Sequence, residues 1–279
     1  MLATPEFPFR PNCLRTPDHV GSAAVMRAGE AASGSGSGLP FALAARDIGK
    51  RFGALAVLAR VDLDIRQGEA VGIVGPNGAG KTTLFNVLSG AYPPNRGSVH
   101  LEGRDVTALG APARCRMGIA RSHQVPRPFG GMTVFENLHV AAAAGAALKG
   151  SAAHEVCIDA LDLCSMLSLA NRRADTLGLL DRKRLEMARA LATCPRVLLL
   201  DEIGGGLTDG EALELVAIIR EVLKRGITVV WIEHMVQVLL QVVTRLICME
   251  SGGIIADGEP DAVMRDPTVI AAYLGSMAT

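Results

Sequence analysis

Residues Val71–Thr83 read VGIVGPNGAGKTT. A short, mostly apolar run typical of a buried strand is followed by a turn rich in glycine, then by one lysine and two threonines. Glycine lets the backbone of such a turn bend so that several N–H groups point towards one centre. A helix that begins at about Lys81 adds the positive end of its dipole to the same place. The segment therefore predicts a binding site for the phosphates of a nucleotide.

The match to the pattern G-x-x-x-x-G-K-[ST] assigns separate tasks within this segment. The Lys81 ammonium is expected to reach the β- and γ-phosphate oxygens, and the Thr82 hydroxyl is expected to bind Mg²⁺. The residues predicted to contact the nucleotide are Gly75, Pro76, Asn77, Gly78, Ala79, Gly80, Lys81, Thr82 and Thr83.

The composition argues against several other functions. Lysine and arginine number 28 and balance 28 aspartates and glutamates, so no overall field favours nucleic acid or an anionic membrane. Aromatic residues make up 4 % of the chain, which is few for a platform that stacks bases. No apolar run approaches the ~20 residues that a membrane-spanning helix needs. Nucleic acid is therefore not an expected partner, and work at a membrane would require another subunit to cross it.

The cysteines show neither a C-x-x-C pair nor a nearby histidine at the spacing of a zinc site. We expect them to be reduced and to behave as small buried apolar side chains. Residues 1–26 lack the continuous apolar core of a signal peptide, so a cytoplasmic location is expected. The six cysteines are Cys13, Cys115, Cys157, Cys164, Cys194 and Cys248.

The chain divides by composition into a tail and one domain. Residues 1–40 are rich in proline, alanine and small polar residues and are predicted to be a flexible tail. From residue 41 strands alternate with helices, which predicts an α/β domain, 41–279, with a mainly parallel sheet. The first two strands, 41–48 and 57–65, suggest an antiparallel flank. Further strands are predicted at 70–74, 98–101, 197–200 and 228–232. Helices are predicted at 134–148, 154–170, 181–192 and 210–225, with one more from 235. A helical lobe, 125–180, is inserted between the two core segments, 41–124 and 181–279.

Polar side chains follow two of the predicted buried strands. Asp201 and Glu202 come directly after the aliphatic run Val197–Leu200, and His234 follows the strand Thr228–Ile232. Open α/β sheets bind ligands at the carboxyl ends of their strands. We expect Asp201 to hold Mg²⁺, directly or through water, and Glu202 to act as general base for the water that attacks the γ-phosphate. His234 is expected to contact that phosphate.

Gln124 is predicted to end a further strand, where the helical insertion begins. Its amide is a candidate ligand for the metal or for a water bound to it. Through that contact Gln124 would report the state of the site to whatever the insertion touches.

The order of these motifs resembles the ATP-binding subunit of ABC transporters. The phosphate loop, Gln124, the run Arg184–Leu191, the acidic pair and His234 follow one another as in that family, and the resemblance covers residues 41–275. It implies a P-loop NTPase (RecA-like) core with a mainly parallel sheet, an antiparallel β flank and a helical insertion lobe. It also implies ATP and Mg²⁺ as ligands, with Phe52 in the place of the aromatic on which that family stacks adenine.

Three further segments look like the branched-chain amino-acid importer group of that family: Gly118–Gln124, Met132–Leu138 and Ala271–Gly275. This resemblance implies an ATPase that drives uptake of branched-chain amino acids or related small solutes, such as amides. It implies two transmembrane permease subunits, a second ATPase subunit and a periplasmic or extracellular solute-binding protein as partners. The expected location is the cytoplasmic face of the inner membrane, where the chain is held peripherally by the permeases.

Four alternatives remain open at the level of sequence. The chain is the ATPase of an importer, the ATPase of an exporter, a nucleotide-binding subunit that scarcely hydrolyses ATP, or a soluble ABC-type ATPase that acts on DNA or ribosomes. Proteins of the last kind usually carry long coiled coils or two cassettes, and this chain has neither pattern.

The sequence departs from the family at its signature, L-S-G-G-Q or a close variant. The corresponding residues, Leu177–Asp181, read LGLLD, without the serine hydroxyl and with leucine in place of the second glycine. Asp181 either faces a triphosphate, at a cost of about 3 kcal/mol for a ~5 Å separation and an effective dielectric near ~20, or points away and caps the helix. Ile203 replaces a usual proline, and the loop after it, Gly204–Thr208, is rich in glycine. A degenerate signature favours pairing with a different ATPase subunit over a symmetric homodimer.

Overall fold

The computed structural model describes residues 13–14 and 41–276. The predicted tail, 1–40, therefore lies outside the described residues except for Cys13 and Leu14. The strands are β1 Leu43–Phe52, β2 Leu55–Ile65, β3 Ala70–Val74, β4 Arg96–Leu101, β5 Arg104–Asp105, β6 Ile119–Arg121, β7 Val197–Asp201, β8 Thr228–Ile232, β9 Arg245–Glu250 and β10 Gly253–Gly258. The α-helices are α1 Lys81–Leu88, α2 Ala111–Met117, α3 Val134–Gly145, α4 Gly150–Leu163, α5 Leu179–Leu191, α6 Asp209–Lys224, α7 Val236–Leu239, α8 Pro260–Met264 and α9 Pro267–Ser276.

Within residues 41–276 the strands form two sheets. The larger has the order β10-β9-β3-β8-β7-β6, and all its neighbouring pairs are parallel except the antiparallel pair of β9 and β10 at one edge. The smaller is antiparallel, with the order β2-β1-β4-β5. The predicted fold class, a mainly parallel sheet with an antiparallel flank, is confirmed.

The sequences of the central strands explain why they lie inside. Every residue of β3, β7 and β8 is buried, and each strand is a nearly continuous run of aliphatic residues. Such runs are typical of parallel strands that are covered on both faces. Since β8 lies between β3 and β7, the carboxyl ends of all three meet at one edge of the sheet.

The helical segment differs from the predicted bounds. Helix α3 ends at Gly145, and α4 covers Gly150–Leu163 instead of 154–170. The residues after α4 form two short 3₁₀ turns, Leu167–Leu169 and Ala174–Thr176. Helices α3, α4 and α5 contact one another. The predicted start of α3 at residue 134 is confirmed, and a reciprocal capping box between Thr133 and Glu136 holds it there.

Two predictions about the helix after the signature were wrong. Helix α5 begins at Leu179, not at Asp181, and its N-cap is Gly178, which has no side chain to cap with. Asp181 lies in the first turn, where its Oδ1 is 3.4 Å from Nη1 of Arg184. The sequence lacks the usual polar N-cap before this helix, so the first acidic residue was mistaken for it.

The prediction that Gln124 ends a strand was also wrong. Strand β6 ends at Arg121, and Gln124 lies in the loop beyond it. The strand stops early because its parallel pairing with β7 extends only to the partners Arg121 and Leu199. Helix α7 is likewise short, Val236–Leu239, where a longer helix from Met235 was expected.

The cysteine expectation holds for some residues and is wrong for two. Cys13 and Cys194, which are 181 positions apart in sequence, form a disulfide, and Leu14 is buried in the main apolar core. A pairing over that distance depends on the folded structure and leaves no local pattern. Within the described residues the free thiols are Cys115, Cys157, Cys164 and Cys248. Burial raises the pKa of Cys157 to about 11 and that of Cys164 to about 12, which keeps both protonated.

Candidate nucleotide site

The phosphate loop joins β3 to α1 through two glycines that no other residue could replace without strain. Gly75 has φ 143°, and a Cβ there would lie 2.1 Å from the carbonyl oxygen of Met249. Gly80, the N-cap of α1, has φ 98°, and a Cβ there would lie 2.9 Å from the carbonyl oxygen of Val57. The backbone of the loop is therefore packed closely against its neighbours at both ends, and its inner side is left open.

Lys81 begins α1 and bends back over the loop. Its side chain is 5 % exposed, and Nζ donates to the carbonyl oxygens of Gly75 at 2.7 Å and Pro76 at 3.0 Å. Burial lowers the pKa of Lys81, while the nearby acidic groups Glu202 and Asp201 act in the opposite direction. A cation of this kind, held by carbonyl oxygens at the edge of an open cavity, is positioned to exchange them for phosphate oxygens.

A cavity of about 180 Å³ opens beside this loop. One wall is formed by Asn77–Thr83, and the Glu202 carboxylate stands on another. The structure thus brings seven of the nine predicted loop residues into one cavity with the predicted general base; Gly75 and Pro76 are not part of its lining. Val57 of β2 completes the lining.

Glu202 is held from two sides by the other predicted polar residues. Its backbone adopts the left-handed conformation, φ 48°, immediately after β7. Nε2 of His234 lies 2.8 Å from Oε1 of Glu202, and Nε2 of Gln124 donates to Oε2 at 2.5 Å. Gln124, Glu202 and His234 are therefore brought together, although Gln124 contacts the glutamate in this structure and not Asp201 or Thr82.

Asp201 offers one oxygen to a cation. The residue is buried at the end of β7, and its Oδ2 accepts a hydrogen bond from Nη2 of Arg121 at 2.6 Å. Among the residues that the structure describes, Oδ1 is buried and has no hydrogen-bond partner. An unpaired buried carboxylate oxygen is costly, and a metal ion or its water would satisfy it. Mg²⁺ is usually held by one or two carboxylates together with substrate phosphates, so Asp201 and the Thr82 hydroxyl fit it.

Phe52 lies at the exposed end of β1 and does not stand alone. Tyr92, which sequence analysis missed, contacts it edge to face with ring centroids 5.4 Å apart. Nζ of Lys50 lies 5.1 Å from the Phe52 centroid and donates to the carbonyl oxygen of Pro93 at 2.8 Å. Both aromatic residues are exposed, and because the two rings are 79° apart in plane, a base would stack on the face of one ring with the other beside it.

Two buried charged residues behind Glu202 were also missed. Lys183 of α5 is 4 % exposed, and its Nζ donates to the carbonyl oxygens of Gln124 at 3.0 Å and Glu202 at 3.4 Å. Glu233 accepts from the backbone N–H groups of Gly204 and His234, each at 2.9 Å. A Cβ on Gly204 would lie 2.9 Å from Oε2 of Glu233, so glycine at this position leaves room for the carboxylate. These two side chains fix the loops that carry the predicted catalytic residues.

A sequence signal for Lys183 did exist. Lys183, Met187 and Leu191 lie at helical spacing on the buried face of α5, so a lysine stands where an apolar residue is expected. Tyr273 of α9 gave no such signal. Its hydroxyl accepts a hydrogen bond from the backbone N–H of Gly75 at 2.8 Å and so fixes the start of the phosphate loop.

The signature segment, Leu177–Asp181, presents mainly apolar and acidic side chains. Leu179 is 46 % exposed, and Leu180 is partly exposed. Arg184, which pairs with Asp181, also forms an ion pair with Glu214. Arg184 is thus paired with two carboxylates, whereas Arg182, directly after the segment, is exposed and donates to the carbonyl oxygen of Asp175.

A phosphate loop after a strand of a mainly parallel sheet, with acidic residues at the tip of a nearby buried strand, defines a P-loop nucleoside triphosphatase. The chain belongs to the ABC transporter family of ATP-binding cassettes. The family model described as ABC transporter matches residues 58–204, and residues 254–279 match the model described as branched-chain amino acid ATP-binding cassette transporter. The chain is therefore the ATPase subunit of a transporter, and the resemblance found in the sequence is confirmed.

Similar proteins include the high-affinity branched-chain amino acid transport ATP-binding protein LivG of Salmonella typhimurium. It is 37 % identical over 84 % of this chain and 97 % of that protein. The lipopolysaccharide export system ATP-binding protein LptB of Acidithiobacillus ferridurans is 34 % identical over 84 % of this chain and 96 % of its own. A crystal structure of the ADP conformation of an ATP-binding cassette of an ABC transporter is 31 % identical, with a TM-score of 0.78 over 84 % of this chain and 99 % of that one.

Among the described residues, no helix is both long and apolar enough to cross a membrane.

Proposed function

We propose that this chain hydrolyses ATP to drive the import of branched-chain amino acids or related small solutes through two separate permease subunits. The similarity to LivG and the match of residues 254–279 to a branched-chain transporter model support this substrate class. The similarity to LptB supports export as the second candidate. The C-terminal match favours import, because it covers a segment outside the general ATPase model.

The observation that carries the proposal is the position of Glu202 in the phosphate-loop cavity. Gly75–Thr83 bind the triphosphate, with the Lys81 ammonium on its outer oxygens. Glu202 accepts a proton from the attacking water, and His234 orients the carboxylate and contacts the γ-phosphate. Phe52, supported by Tyr92, stacks the adenine ring.

Thr82 and Asp201 would hold Mg²⁺, and Gln124 would contact the ion or a water on it. When bound, Mg²⁺ neutralises charge on the β- and γ-phosphate oxygens. In the structure both carboxylate oxygens of Glu202 are engaged, one by Gln124 and one by His234. Each carboxylate oxygen has a second lone pair, so Glu202 can accept a proton from water while both contacts persist, and movement of Gln124 onto the metal would leave Oε2 to that water alone.

The signature segment favours a second, different ATPase subunit as partner. In a dimer of cassettes that closes on two ATP molecules, Leu177–Asp181 would face the ATP of the other subunit. Exposed Leu179 and acidic Asp181 stand where the family signature has a glycine and a glutamine, which weakens the contact of this segment with a triphosphate. A second, different ATPase subunit with an intact signature would complete the site built from this chain's Glu202. The helical lobe, 125–180, would contact the permeases at the cytoplasmic face of the inner membrane, and a solute-binding protein would deliver the solute.

ATP turnover by the purified chain alone, beside a Glu202→Gln variant, tests this proposal. We expect ATP binding with negligible turnover, and Glu202-dependent turnover once a partner cassette is added. Glu202-dependent turnover by the lone chain would contradict the heterodimer. Turnover that is unchanged in Glu202→Gln would contradict the role of Glu202.

The signature is tested in the assembled complex. A variant that combines Gly178→Ser, Leu180→Gly and Asp181→Gln restores the hydroxyl, the close backbone approach and the neutral amide. We expect ATPase activity of the complex to rise, because the second site then becomes complete. Unchanged activity would remove the main support for a degenerate second site.

A further inference from the structure

We propose that Arg121 is a positioning residue for the metal site, turning the Asp201 carboxylate so that its free oxygen faces the cation. The inference rests on the proposed role of Asp201 in holding Mg²⁺. It assigns a task to a residue at the end of β6, three positions before Gln124 in the chain.

The contact between Arg121 and Asp201 is a buried ion pair. Nη2 of Arg121 lies 2.6 Å from Oδ2 of Asp201, and the two side chains are 11 % and 4 % exposed. The carboxylate uses one oxygen in this pair, and within the described residues its Oδ1 has no partner. A buried ion pair is stable only when its geometry is good and its remaining atoms are satisfied. Nε of Arg121 is also buried without a hydrogen-bond partner among the described residues, so the pair is not fully satisfied on either side; a cation on the Oδ1 side would satisfy the Asp201 oxygen.

A second hydrogen bond connects Arg121 to the phosphate-loop helix. Nη1 donates to Oδ1 of Asn86 at 2.6 Å, and Asn86 lies on α1, the helix that begins with Lys81 and Thr82. The planar guanidinium thus joins β6, β7 and α1 at one point. Its orientation is fixed by Asn86, and it fixes the orientation of Asp201 in turn.

The backbone of Asp201 is held by the residue next to Arg121. The N–H of Asp201 donates to the hydroxyl of Ser122 at 3.3 Å, and the N–H of Ser122 donates to the carbonyl oxygen of Leu199 at 2.9 Å. With the backbone of Asp201 fixed, its side chain can still rotate. The hydrogen bond from Arg121 to Oδ2 restricts that rotation.

The charge of Arg121 and its orienting contact with Asp201 predict opposite effects on metal binding when the ion pair is weakened. The positive charge of Arg121 repels a divalent cation, so if charge alone mattered, weakening the pair would strengthen metal binding. If orientation matters, loss of the planar fork weakens metal binding. Arg121→Lys keeps the charge but cannot bond both acceptors in one plane. Asn86→Ala keeps Arg121 and its charge and removes only the contact that orients it.

The test measures Mn²⁺ binding by electron paramagnetic resonance, with ADP bound to the purified full chain. Partners that orient a metal ligand typically contribute roughly 10- to 100-fold in metal affinity. We expect about tenfold weaker Mn²⁺ binding in Arg121→Lys and a smaller loss, about threefold, in Asn86→Ala. ADP affinity in EDTA should stay as in the parent chain. Arg116→Met, an exposed arginine on α2, is the matched control and should bind Mn²⁺ normally.

Mn²⁺ affinity that is unchanged or higher in both variants would overturn the proposal. Asp201→Asn separates this failure from failure of the proposed metal site. Weaker Mn²⁺ binding in Asp201→Asn together with normal binding in the Arg121 and Asn86 variants contradicts the positioning role alone. Normal Mn²⁺ binding in Asp201→Asn contradicts both the metal site and the positioning role.

Discussion

The His234 imidazole lies 2.8 Å from the Glu202 carboxylate, between Nε2 and Oε1. Their separation is set by the sheet, because β7 and β8 pair in register up to the partners Asp201 and Ile232. The N–H of Glu202 also donates to the carbonyl oxygen of Ile232 at 2.8 Å. The contact is therefore built on rigid backbone, as a catalytic contact should be.

Replacement of His234 by alanine should separate chemistry from binding. We expect turnover of the assembled complex to fall roughly 100-fold, since Glu202 loses the group that orients it at the γ-phosphate. ATP affinity should fall much less than turnover, because His234 supplies one contact to the γ-phosphate while the phosphate loop is untouched. Steady-state ATPase kinetics and equilibrium nucleotide binding measure the two effects. His100→Ala on β4 is the control, and a loss of binding equal to the loss of turnover would count against the assignment.

Replacement of Tyr273 by phenylalanine should weaken nucleotide binding. The change leaves the N–H of Gly75 without the hydroxyl at 2.8 Å, and an unsatisfied buried donor costs about 1–3 kcal/mol. The start of the phosphate loop can relax in the free protein but must be ordered again when phosphates bind. We expect about five- to tenfold weaker binding of a fluorescent ADP analogue. Unchanged affinity with a lower melting temperature would show that Tyr273 supports the fold alone.

The sequence predicted those parts of the site that depend on the order of strands. Val197–Leu200 and Thr228–Ile232 are recognisable as buried parallel strands, and the residues after parallel strands meet at one edge. The proximity of Glu202, His234 and the phosphate loop follows from that rule. The position of Gln124 does not, because it depends on where the short strand β6 stops pairing with β7.

Other contacts could not be read from the sequence because they join distant segments. Tyr273 and Gly75 are 198 positions apart, and Arg121 and Asp201 are 80 apart. No local period records such a pairing. The disulfide between Cys13 and Cys194 is hidden for the same reason, and it also contradicts the expectation from composition.

The disulfide has a direct chemical test. With two of the six cysteines bonded, the unfolded chain should accept four alkyl groups before reduction and six afterwards. Mass spectrometry of the intact protein, alkylated in denaturant with and without prior reduction, counts them. We expect Cys13→Ser to lower the free energy of unfolding by about 2–4 kcal/mol, the usual contribution of a cross-link. Six alkyl groups without reduction would show that the bond is absent.

Lys183 should control the catalytic step without controlling ATP binding. Its ammonium supports the carbonyl oxygens of Gln124 and Glu202, and burial lowers its pKa, with Glu233 and Glu202 acting in the opposite direction. Lys183→Met keeps the length of the side chain and removes both bonds, each worth about 1.5–3 kcal/mol when the donor is charged. If about 1.4 kcal/mol of this hydrogen-bond energy acts at the transition state, its loss lowers kcat roughly tenfold and leaves KM for ATP unchanged. Lys224→Met, an exposed lysine on α6, is the matched control. Equal changes in kcat and ATP affinity, or none in either, would mean that Lys183 only stabilises the fold.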